Sequence, residues 1–245
     1  MKLKPASLVL PLVVALSVLL APAASSQTSF GYRGDIGPAY WGTLDEAWST
    51  CGTGTIQSPV DLTHQRTWMT LPIDYASTDG EIFNNGHTVE VELPEGNGNT
   101  ITLDGIVYPL VQFHFHTASE HRVLGRGYDM EMHLVHKTAD GQYAVIGVFL
   151  KRGTSSGALA PIFAELPNIV EENVNYEVPD FNPAAFLPPS RAHYRYLGSL
   201  TTPPCTEGVK WIVMRDPVTV SDEDMAQFAN QISFNARYVQ RVVPR

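Results

Sequence analysis

Cysteine is nearly absent from this chain, which has only Cys51 and Cys205 among its 245 residues. Neither has a second cysteine or a histidine at the spacing of metal ligands, so a thiolate metal site is not favoured. In an exported protein the two cysteines are expected to form one disulfide. Such a bridge would close a long loop and stabilise the fold by about 4–5 kcal/mol in the chain-entropy model.

Positive charge is also scarce, because 16 lysines and arginines stand against 25 aspartates and glutamates, for a net charge of −9. Loss of Lys2 and Lys4 with an N-terminal leader would lower the net charge by two, to −11. The basic residues are scattered rather than clustered, which disfavours a nucleic-acid partner. The acidic balance favours solubility and indicates no particular substrate.

The apolar run at residues 8–20 is shorter than the roughly 20 residues that a membrane span needs, and Pro11 interrupts it. Lysines precede the run and small residues follow it, which is typical of a secretory signal peptide over residues 1–23. An N-terminal membrane anchor is the less favoured alternative. The rest of the chain is therefore expected to be exported, with no membrane attachment in its mature form.

The roughly 220 residues after the leader show no internal repeat and fit one domain over residues 30–245. Short runs in which apolar and polar residues alternate recur between turn signals. These predicted strands are 87–93, 99–105, 105–117, 129–138 and 142–151. Consecutive strands with such short connections are expected to pair antiparallel.

Helical signals are few. Residues 157–166 fit a short helix, and Ser221 with Asp224 resembles a capping box that opens another. The predicted fold class is therefore mainly β (α+β), a single domain with a large, mostly antiparallel, twisted central sheet and short peripheral helices.

Three of the eight histidines fall between residues 112 and 121. Side chains alternate along a strand, so His114 and His116 share one face while the two phenylalanines beside them point to the other. On the next predicted strand His133 can meet them across an antiparallel pair. Three neutral imidazoles with an open fourth position describe a catalytic zinc site.

The same alternation places an amide and a carboxylate beside these rings. Gln112 lies two residues before His114 on its face, and Glu131 lies two residues before His133. Metal-binding histidines usually donate their other ring N–H to such a group, so both are candidate partners. A chance His-x-His pair is the alternative, and the third histidine with its carboxylate weakens it.

The histidines outside this facing set are not expected to bind the metal. His121 and His136 are expected to be hydrogen-bonded structural residues. His64 and His193 are expected to lie on the surface.

Several short motifs follow one another along the chain. They are YWG at 40–42, Trp48, CGTGTIQSPVDL at 51–62, NNGH at 84–87, QFHFH at 112–116, SEH at 119–121, EMHLVH at 131–136 and GSLTTPPC at 198–205. Each motif is weak alone, but together and in this order they resemble an α-class carbonic anhydrase of the secreted bacterial type. The resemblance runs from about Tyr40 to Arg237 and implies zinc-dependent, reversible hydration of carbon dioxide to bicarbonate and a proton.

By this resemblance the three facing histidines are the zinc ligands, and zinc-bound hydroxide attacks carbon dioxide. Thr201 is expected to accept a hydrogen bond from that hydroxide and to give its own proton to Glu120. His87 is expected to carry the product proton to buffer, and Thr202 to help seat the bicarbonate.

The resemblance also implies an apolar wall for carbon dioxide, at Val135, Val145, Leu200 and Trp211. Cys51 and Cys205 match the disulfide of exported members, which would tether the loop that carries Thr201. The implied location is the periplasm or the extracellular space, and the implied partner is a small molecule. The sequence does not decide between a monomer and a homodimer.

Four positions, Thr43, Glu90, Thr117 and Leu197, depart from the family pattern without removing a ligand, and they bear on rate and inhibitor preference. Two other functions are less favoured. A non-catalytic binding protein on the same fold is disfavoured because the ligand set is complete. A zinc-dependent esterase is expected only as a side activity, because the narrow apolar wall leaves little room for ordinary esters.

Overall fold

The computed structural model describes residues 28–63, 66–155 and 157–241. The predicted signal peptide and His64 lie outside the described residues, and the domain boundaries of 30–245 stay a prediction. In the described part of the chain, no helix has the length and apolar character needed to cross a membrane.

Twelve strands form the framework of the described residues. Strands β1 to β6 are Thr67–Trp68, Ile73–Asp74, Thr78–Asn84, Val89–Glu92, Thr100–Leu103 and Ile106–Thr117. Strands β7 to β12 are Met130–Lys137, Tyr143–Arg152, Tyr176–Phe181, His193–Ser199, Glu207–Met214 and Val218–Val220. The five runs predicted from alternation correspond to β4 to β8, so the period of two identified the centre of the sheet.

The strands join in one sheet in the order β1, β10, β11, β8, β7, β6, β4, β3, β9. Strand β5 pairs with β6 and β2, and β12 pairs with β8. Within the described residues, β8 pairs parallel with β11 and β12, and the remaining pairings are antiparallel. The predicted fold class, a large and mostly antiparallel sheet, is confirmed.

The two faces of the sheet bury different side chains. On one face Phe113 and Phe115 of β6 lie in the main hydrophobic core, together with Met132 and Ile146 from the next two strands. The opposite face of the same strands carries the histidines and a smaller apolar cluster that includes Val145. The alternation of β6 therefore separates core packing from a polar site.

The helices are short and peripheral. They are α1 (Trp41–Leu44), α2 (Thr50–Thr53), α3 (Ala160–Phe163) and α4 (Asp222–Gln231), with 3₁₀ turns at Gly34–Ile36, Glu46–Trp48, Leu166–Asn168 and Pro183–Phe186. Helix α4 begins with the predicted capping box, in which Ser221 Oγ accepts the N–H of Asp224 at 3.0 Å. Helix α3 is shorter than the predicted 157–166, and the 3₁₀ turn at Leu166–Asn168 follows it after two residues.

A disulfide joins Cys51 in α2 to Cys205, as the sequence predicts. The two cysteines are 154 residues apart. The bridge ties the N-terminal part of the chain to the connection between β10 and β11, which carries Thr201.

Candidate metal centre

Three imidazoles meet on the face of β6 and β7 that points away from the main core. His114 and His133 are register partners on these antiparallel strands, and His116 lies two residues along β6. The ring centroids are 5.0 Å apart for His114 and His116, 5.3 Å for His114 and His133, and 4.5 Å for His116 and His133. One nitrogen from each ring lies within 4.8 Å of one nitrogen from each of the others. The structure thus brings together the three histidines that the alternation pattern selected.

The other nitrogen of each ring is held by an oxygen of the protein. Gln112 Oε1 lies 2.8 Å from Nδ1 of His114, and Glu131 Oε1 lies 3.0 Å from Nε2 of His133. These two contacts are the ones that the same-face spacing predicts. An acceptor on one nitrogen keeps the proton there and leaves the lone pair on the other nitrogen.

Asn235 supplies the third of these oxygens. Its main-chain carbonyl accepts Nδ1–H of His116 at 2.8 Å. Its side chain accepts the N–H of Thr117 at 2.7 Å and donates to the carbonyls of Phe115 at 2.8 Å and His87 at 3.0 Å. This role of Asn235 was not predicted, because a main-chain carbonyl contributed from far along the chain leaves no residue-type pattern.

Among the described residues, the ring nitrogens that no protein oxygen holds are Nε2 of His114, Nε2 of His116 and Nδ1 of His133. In the described residues, the buried Nε2 of His116 has no hydrogen-bond partner. A buried polar atom without a partner costs free energy, so its presence beside two further free nitrogens indicates a site built for a ligand. Three converging imidazole nitrogens are a donor set that divalent transition-metal ions accept. The residues present therefore fit a metal ion.

Burial keeps the rings of His114 and His116 uncharged. It holds the pKa of His114 well below its ordinary value, and the neighbouring His116 and His133 lower that pKa further. Burial also lowers the pKa of His116, against the opposing effect of Glu120. Because neutral imidazole is the form that binds a metal, the site is prepared for one near neutral pH.

Glu131 is a fully buried carboxylate that joins β7 to the loop after β6. Its Oε2 accepts the N–H groups of Glu120 at 2.9 Å and His121 at 2.8 Å, and its Oε1 also contacts Nδ1 of His121 at 2.7 Å. Burial alone would raise the pKa of Glu131, but the charges and hydrogen bonds of His121 and His133 hold it well below its ordinary value. His121, Glu131 and His133 are also spaced closely enough for a metal, but their atoms already satisfy one another.

The two oxygens of the buried Glu120 have different surroundings. Oε1 accepts the N–H of Arg237 at 2.8 Å. Within the described part of the chain, Oε2 has no hydrogen-bond partner, and it lies 3.6 Å from Nε2 of His116 and 3.9 Å from Nδ1 of His133. Thr201 is buried too, but no hydrogen bond between described residues joins its hydroxyl to Glu120. The link between Thr201 and Glu120 therefore stays a prediction.

Arg237 connects Glu120 to the disulfide-bonded end of the chain. Its buried guanidinium donates to Gln57 Oε1 at 2.9 Å, to the carbonyl of Ser58 at 2.8 Å and to the carbonyl of Cys51 at 3.1 Å. This role of Arg237 was not predicted from the sequence. No local pattern could have done so, since its partners lie near the other end of the chain.

The loop that carries Thr201 is closed on itself. Leu200 donates its N–H to the carbonyl of Thr206 at 2.9 Å, and Cys205 donates its N–H to the carbonyl of the half-buried Thr202 at 2.8 Å. Gln57 donates to the carbonyl of Cys205 at 3.1 Å. These bonds and the disulfide hold the loop in place.

An apolar cluster borders the histidines. Val145 is the register partner of both Val135 on β7 and Trp211 on β11, and Leu200 packs against the same cluster. The ring centroid of Trp211 lies 4.8 Å from that of His133. The four residues predicted to form an apolar wall thus lie together beside the metal-site histidines.

His87 lies in the turn between β3 and β4 and is half-buried. Asn85 Oδ1 accepts its N–H at 3.0 Å and shapes the turn. Burial lowers the pKa of His87, and the negative charge of Glu172 partly offsets this. The ring is therefore uncharged at neutral pH and able to accept a proton.

Glu90 stands on β4 as the register partner of His114. Its Oε2 accepts the amide N–H of Asn85 at 3.1 Å. Burial, followed by the charge of Glu92, raises the pKa of Glu90 to about 7. The carboxyl group of Glu90 is therefore partly protonated at neutral pH.

Two of the histidines outside the site behave as predicted. His121 is buried with Tyr196 Oη 2.5 Å from its Nε2. His136 is buried with Tyr75 Oη 2.5 Å from its Nε2, and burial lowers the pKa of His136 to about 3.

The prediction that His193 lies on the surface is wrong. His193 begins β10 and is fully buried, donates from Nδ1 to the carbonyl of Arg191 at 2.6 Å and accepts from Arg195 Nε at 2.9 Å. The segment HYRYLGS at 193–199 lacks the alternation that marked the central strands, so neither β10 nor its buried histidine was predicted.

Comparisons of the sequence with a family model and with known proteins indicate the same family. The model of the family described as eukaryotic-type carbonic anhydrase matches residues 36–242. A carbonic anhydrase of Klebsiella pneumoniae is 38% identical over 228 residues, which cover 92% of this chain and 92% of that protein.

Solved structures agree with the sequence comparison. The α-carbonic anhydrase of Thermovibrio ammonificans, solved with the inhibitor sulfanilamide, has a TM-score of 0.81 and 37% identity, covering 88% of this chain and 96% of its own. Dioscorin complexed with ascorbate has a TM-score of 0.79 and 31% identity, covering 87% and 94% of the two chains. Because the structural similarity extends to dioscorin, a protein with a different name, similarity of fold does not by itself establish a mechanism. A mechanism has to be argued from the residues of the site.

Proposed function

The chain belongs to the eukaryotic-type carbonic anhydrase family and is a carbonic anhydrase, and we propose that it hydrates carbon dioxide reversibly with zinc held by His114, His116 and His133. One observation carries the zinc assignment. Among the described residues, each of the three rings has one nitrogen hydrogen-bonded to a protein oxygen and one without such a bond, and the unpaired Oε2 of Glu120 lies 3.6 Å from Nε2 of His116 and 3.9 Å from Nδ1 of His133.

Zinc, when bound, would lower the pKa of a coordinated water to about 7, the effect for which carbonic anhydrase is the standard example. Uncharged histidines suit this use, because ligands with negative charge would partly cancel the charge of the ion. The oxygens of Gln112, Asn235 and Glu131 fix which ring nitrogen faces the metal and so orient the ligands.

Thr201 and Glu120 are proposed to orient the attacking water. Glu120 Oε2 would accept the hydroxyl proton of Thr201 in a hydrogen bond, and the oxygen of Thr201 would then act as an acceptor toward that water. A water held in this way turns a lone pair toward the substrate. The N–H of Arg237 supports the assignment because it fixes the other oxygen of Glu120. Thr202, next along the loop, is proposed to help seat bicarbonate.

Carbon dioxide is small and apolar, so its binding site should be an apolar wall beside the reacting water. The cluster proposed for this is Val135, Val145, Leu200 and Trp211. The same cluster would exclude bulky acyl groups, so any esterase activity should be a minor side reaction restricted to small activated esters.

His87 is proposed to carry the product proton from the site to buffer. An imidazole whose pKa lies close to the working pH can accept a proton and release it again. The half-buried position of His87 supports this role, as does the lack, among the described residues, of a hydrogen bond to either nitrogen of its ring.

Export to the periplasm or the extracellular space is also proposed. The disulfide between Cys51 and Cys205 supports an oxidising compartment, and the pattern at residues 1–23 supports a cleaved leader. The proposed partners are carbon dioxide and bicarbonate, without nucleic acid or membrane, and homodimer formation is left to measurement.

Stopped-flow hydration of carbon dioxide, with metal content measured on the same sample, tests the function. We expect one zinc per chain and a rate far above that of buffer. Zinc-loaded protein that is no faster than buffer would refute the proposal. Comparing kcat/KM for carbon dioxide with that for a small activated ester then ranks the two activities, and a higher value for the ester would reverse the order proposed here.

A further inference from the structure

The imidazole of His87 is covered on one face by the ring of Phe30. The ring centroids are 3.8 Å apart and the planes are 10° from parallel, which is a face-to-face stack. The backbone of His87 is held separately, by its N–H to Asn85 Oδ1 and by its carbonyl, which accepts from Asn235. No hydrogen bond between described residues engages either ring nitrogen. The stack is therefore what fixes the orientation of the ring.

Phe30 is itself firmly held. Its ring packs edge-on against Trp41 at 5.4 Å, Trp48 at 5.9 Å and Tyr32 at 6.1 Å between centroids. Trp41 is fully buried and donates its indole N–H to two carbonyls of the same N-terminal segment. Phe30 thus presents a rigid surface to His87 rather than a mobile side chain.

The stacked pair lies at the turn between β3 and β4. It borders a pocket of about 410 Å³, whose wall also includes Arg33, Glu172 and Phe234. The three metal-site histidines do not border this pocket. Phe30 precedes residue 36, where the match to the family model begins, so the stack is contributed by a segment outside that match.

We propose that Phe30 is a positioning residue that holds His87 in an outward orientation, from which the proton passes to buffer. The inference rests on the proposed shuttle role of His87. An imidazole that releases a proton needs its nitrogens open to water, and a stack on the ring face leaves both nitrogens unbonded. A hydrogen bond to either nitrogen would also fix the ring, but it would compete with proton transfer.

The stack on Phe30 is favourable for both the neutral and the protonated imidazole of His87. A neutral imidazole packs on the phenyl ring through dispersion, and an imidazolium is attracted to the negative face of the same ring. His87 therefore keeps its orientation while it carries the proton. An aliphatic side chain of similar size would supply the packing but not the attraction to the cation.

The test measures hydration by zinc-loaded Phe30→Ala over a range of concentrations of a bulky buffer that cannot enter the metal cavity. We expect the buffer concentration at half-maximal kcat to rise about two- to tenfold, the population change that one aromatic pair controls. The kcat/KM for carbon dioxide should stay unchanged, because that ratio does not include proton release to buffer. A half-saturating buffer concentration that is unchanged or lower overturns the proposal.

Two further variants separate positioning from general stability. Phe30→Trp keeps an aromatic face and should behave like the unmodified chain, whereas Phe30→Leu keeps bulk without the aromatic face and should resemble Phe30→Ala. In a His87→Ala background, Phe30→Ala should cause no additional change in buffer dependence. An additional loss in that background would show that Phe30 acts through the fold and not through His87.

A spectroscopic measurement that needs no activity completes the design. The carbon-bound ring protons of His87 should be shifted upfield by the ring current of Phe30 and should move downfield in Phe30→Ala. Hydration activity without this shift refutes the positioning role alone. The shift without hydration activity refutes the proposed function, and the positioning role falls with it.

Discussion

The carboxylate of Glu131 lies 3.0 Å from Nε2 of His133, and this contact decides which nitrogen of that ring is left for a metal ion. The other oxygen of Glu131 accepts the N–H groups of Glu120 and His121. One buried carboxylate thus fixes the tautomer of a ligand and the backbone beside Glu120. The same carboxylate therefore holds both the metal site, through His133, and Glu120, the residue proposed to help orient the water.

Glu131→Gln should weaken zinc binding about 10- to 100-fold. The amide would have to turn its NH₂ group either toward His133 or toward the backbone N–H groups of Glu120 and His121, so two donors would face each other. Competition with a chelator measures the affinity, and Glu223→Gln on the exposed surface of α4 is the control. Unchanged affinity in Glu131→Gln would show that its carboxylate does not set the ligand geometry.

His114→Ala should remove tight zinc and nearly all hydration activity, because two imidazoles cannot complete the set of three that the site provides. The expected loss of zinc affinity exceeds the roughly 100-fold effect of disturbing a residue that only supports a ligand. Metal analysis and stopped-flow hydration measure both. His193→Gln, which changes a histidine outside the site, should retain one zinc, and stoichiometric zinc at a normal rate in His114→Ala would contradict the ligand assignment.

His87→Ala should slow turnover mainly in weak buffer, since removal of a proton-transfer group costs about 10²-fold or more when no other acceptor replaces it. Added imidazole should restore the rate. The readout is kcat against buffer concentration, with kcat/KM for carbon dioxide as the internal control. A rate in weak buffer equal to that of the unmodified chain would remove His87 from the shuttle role.

Glu90→Gln should make the pH dependence of stability flatter. The pKa of Glu90 is about 7 in the folded chain against an ordinary value of 4.5, so folding favours the protonated form. The contribution of Glu90 to stability is therefore fully present below pH 4.5 and declines as pH rises through 7. The variant, which resembles the protonated acid, should be more stable than the original chain at pH 8 and similar to it at pH 4.

Urea unfolding of the metal-free proteins at several pH values measures this difference in the free energy of unfolding. Comparing the two chains at each pH cancels the titration of the histidines, which both share. A stability difference that does not change between pH 4 and pH 8 would mean that the pKa of Glu90 is not raised by folding.

The sequence predicted the parts of the site that depend on local periodicity. His114, His116 and His133 lie on one face because the paired stretches 112–117 of β6 and 130–135 of β7 alternate regularly, and Gln112 and Glu131 follow from the same period. These relations need only two neighbouring strands and their register. The central sheet could be predicted for the same reason.

The features of the site and fold that were not predicted depend on segments that are distant in the sequence or irregular in pattern. Asn235 acts through its main-chain carbonyl, so its side-chain type gave no signal. His193 lies in β10, whose sequence does not alternate, and its burial follows from pairing with β1 and β11. The raised pKa of Glu90 depends on how deeply the fold buries it, which a list of residue types does not contain.

The hydrogen bond between His116 and the main-chain carbonyl of Asn235 implies an order in which the parts of the site assemble. All three imidazoles are synthesised well before Asn235, yet the carbonyl that selects the free nitrogen of His116 and the N–H of Arg237 that anchors Glu120 come from the last segment described. A nascent chain that stops short of these residues would hold every ligand but lack their final alignment. We therefore expect tight metal binding only in chains whose C-terminal segment has docked, so that metal content would report complete folding.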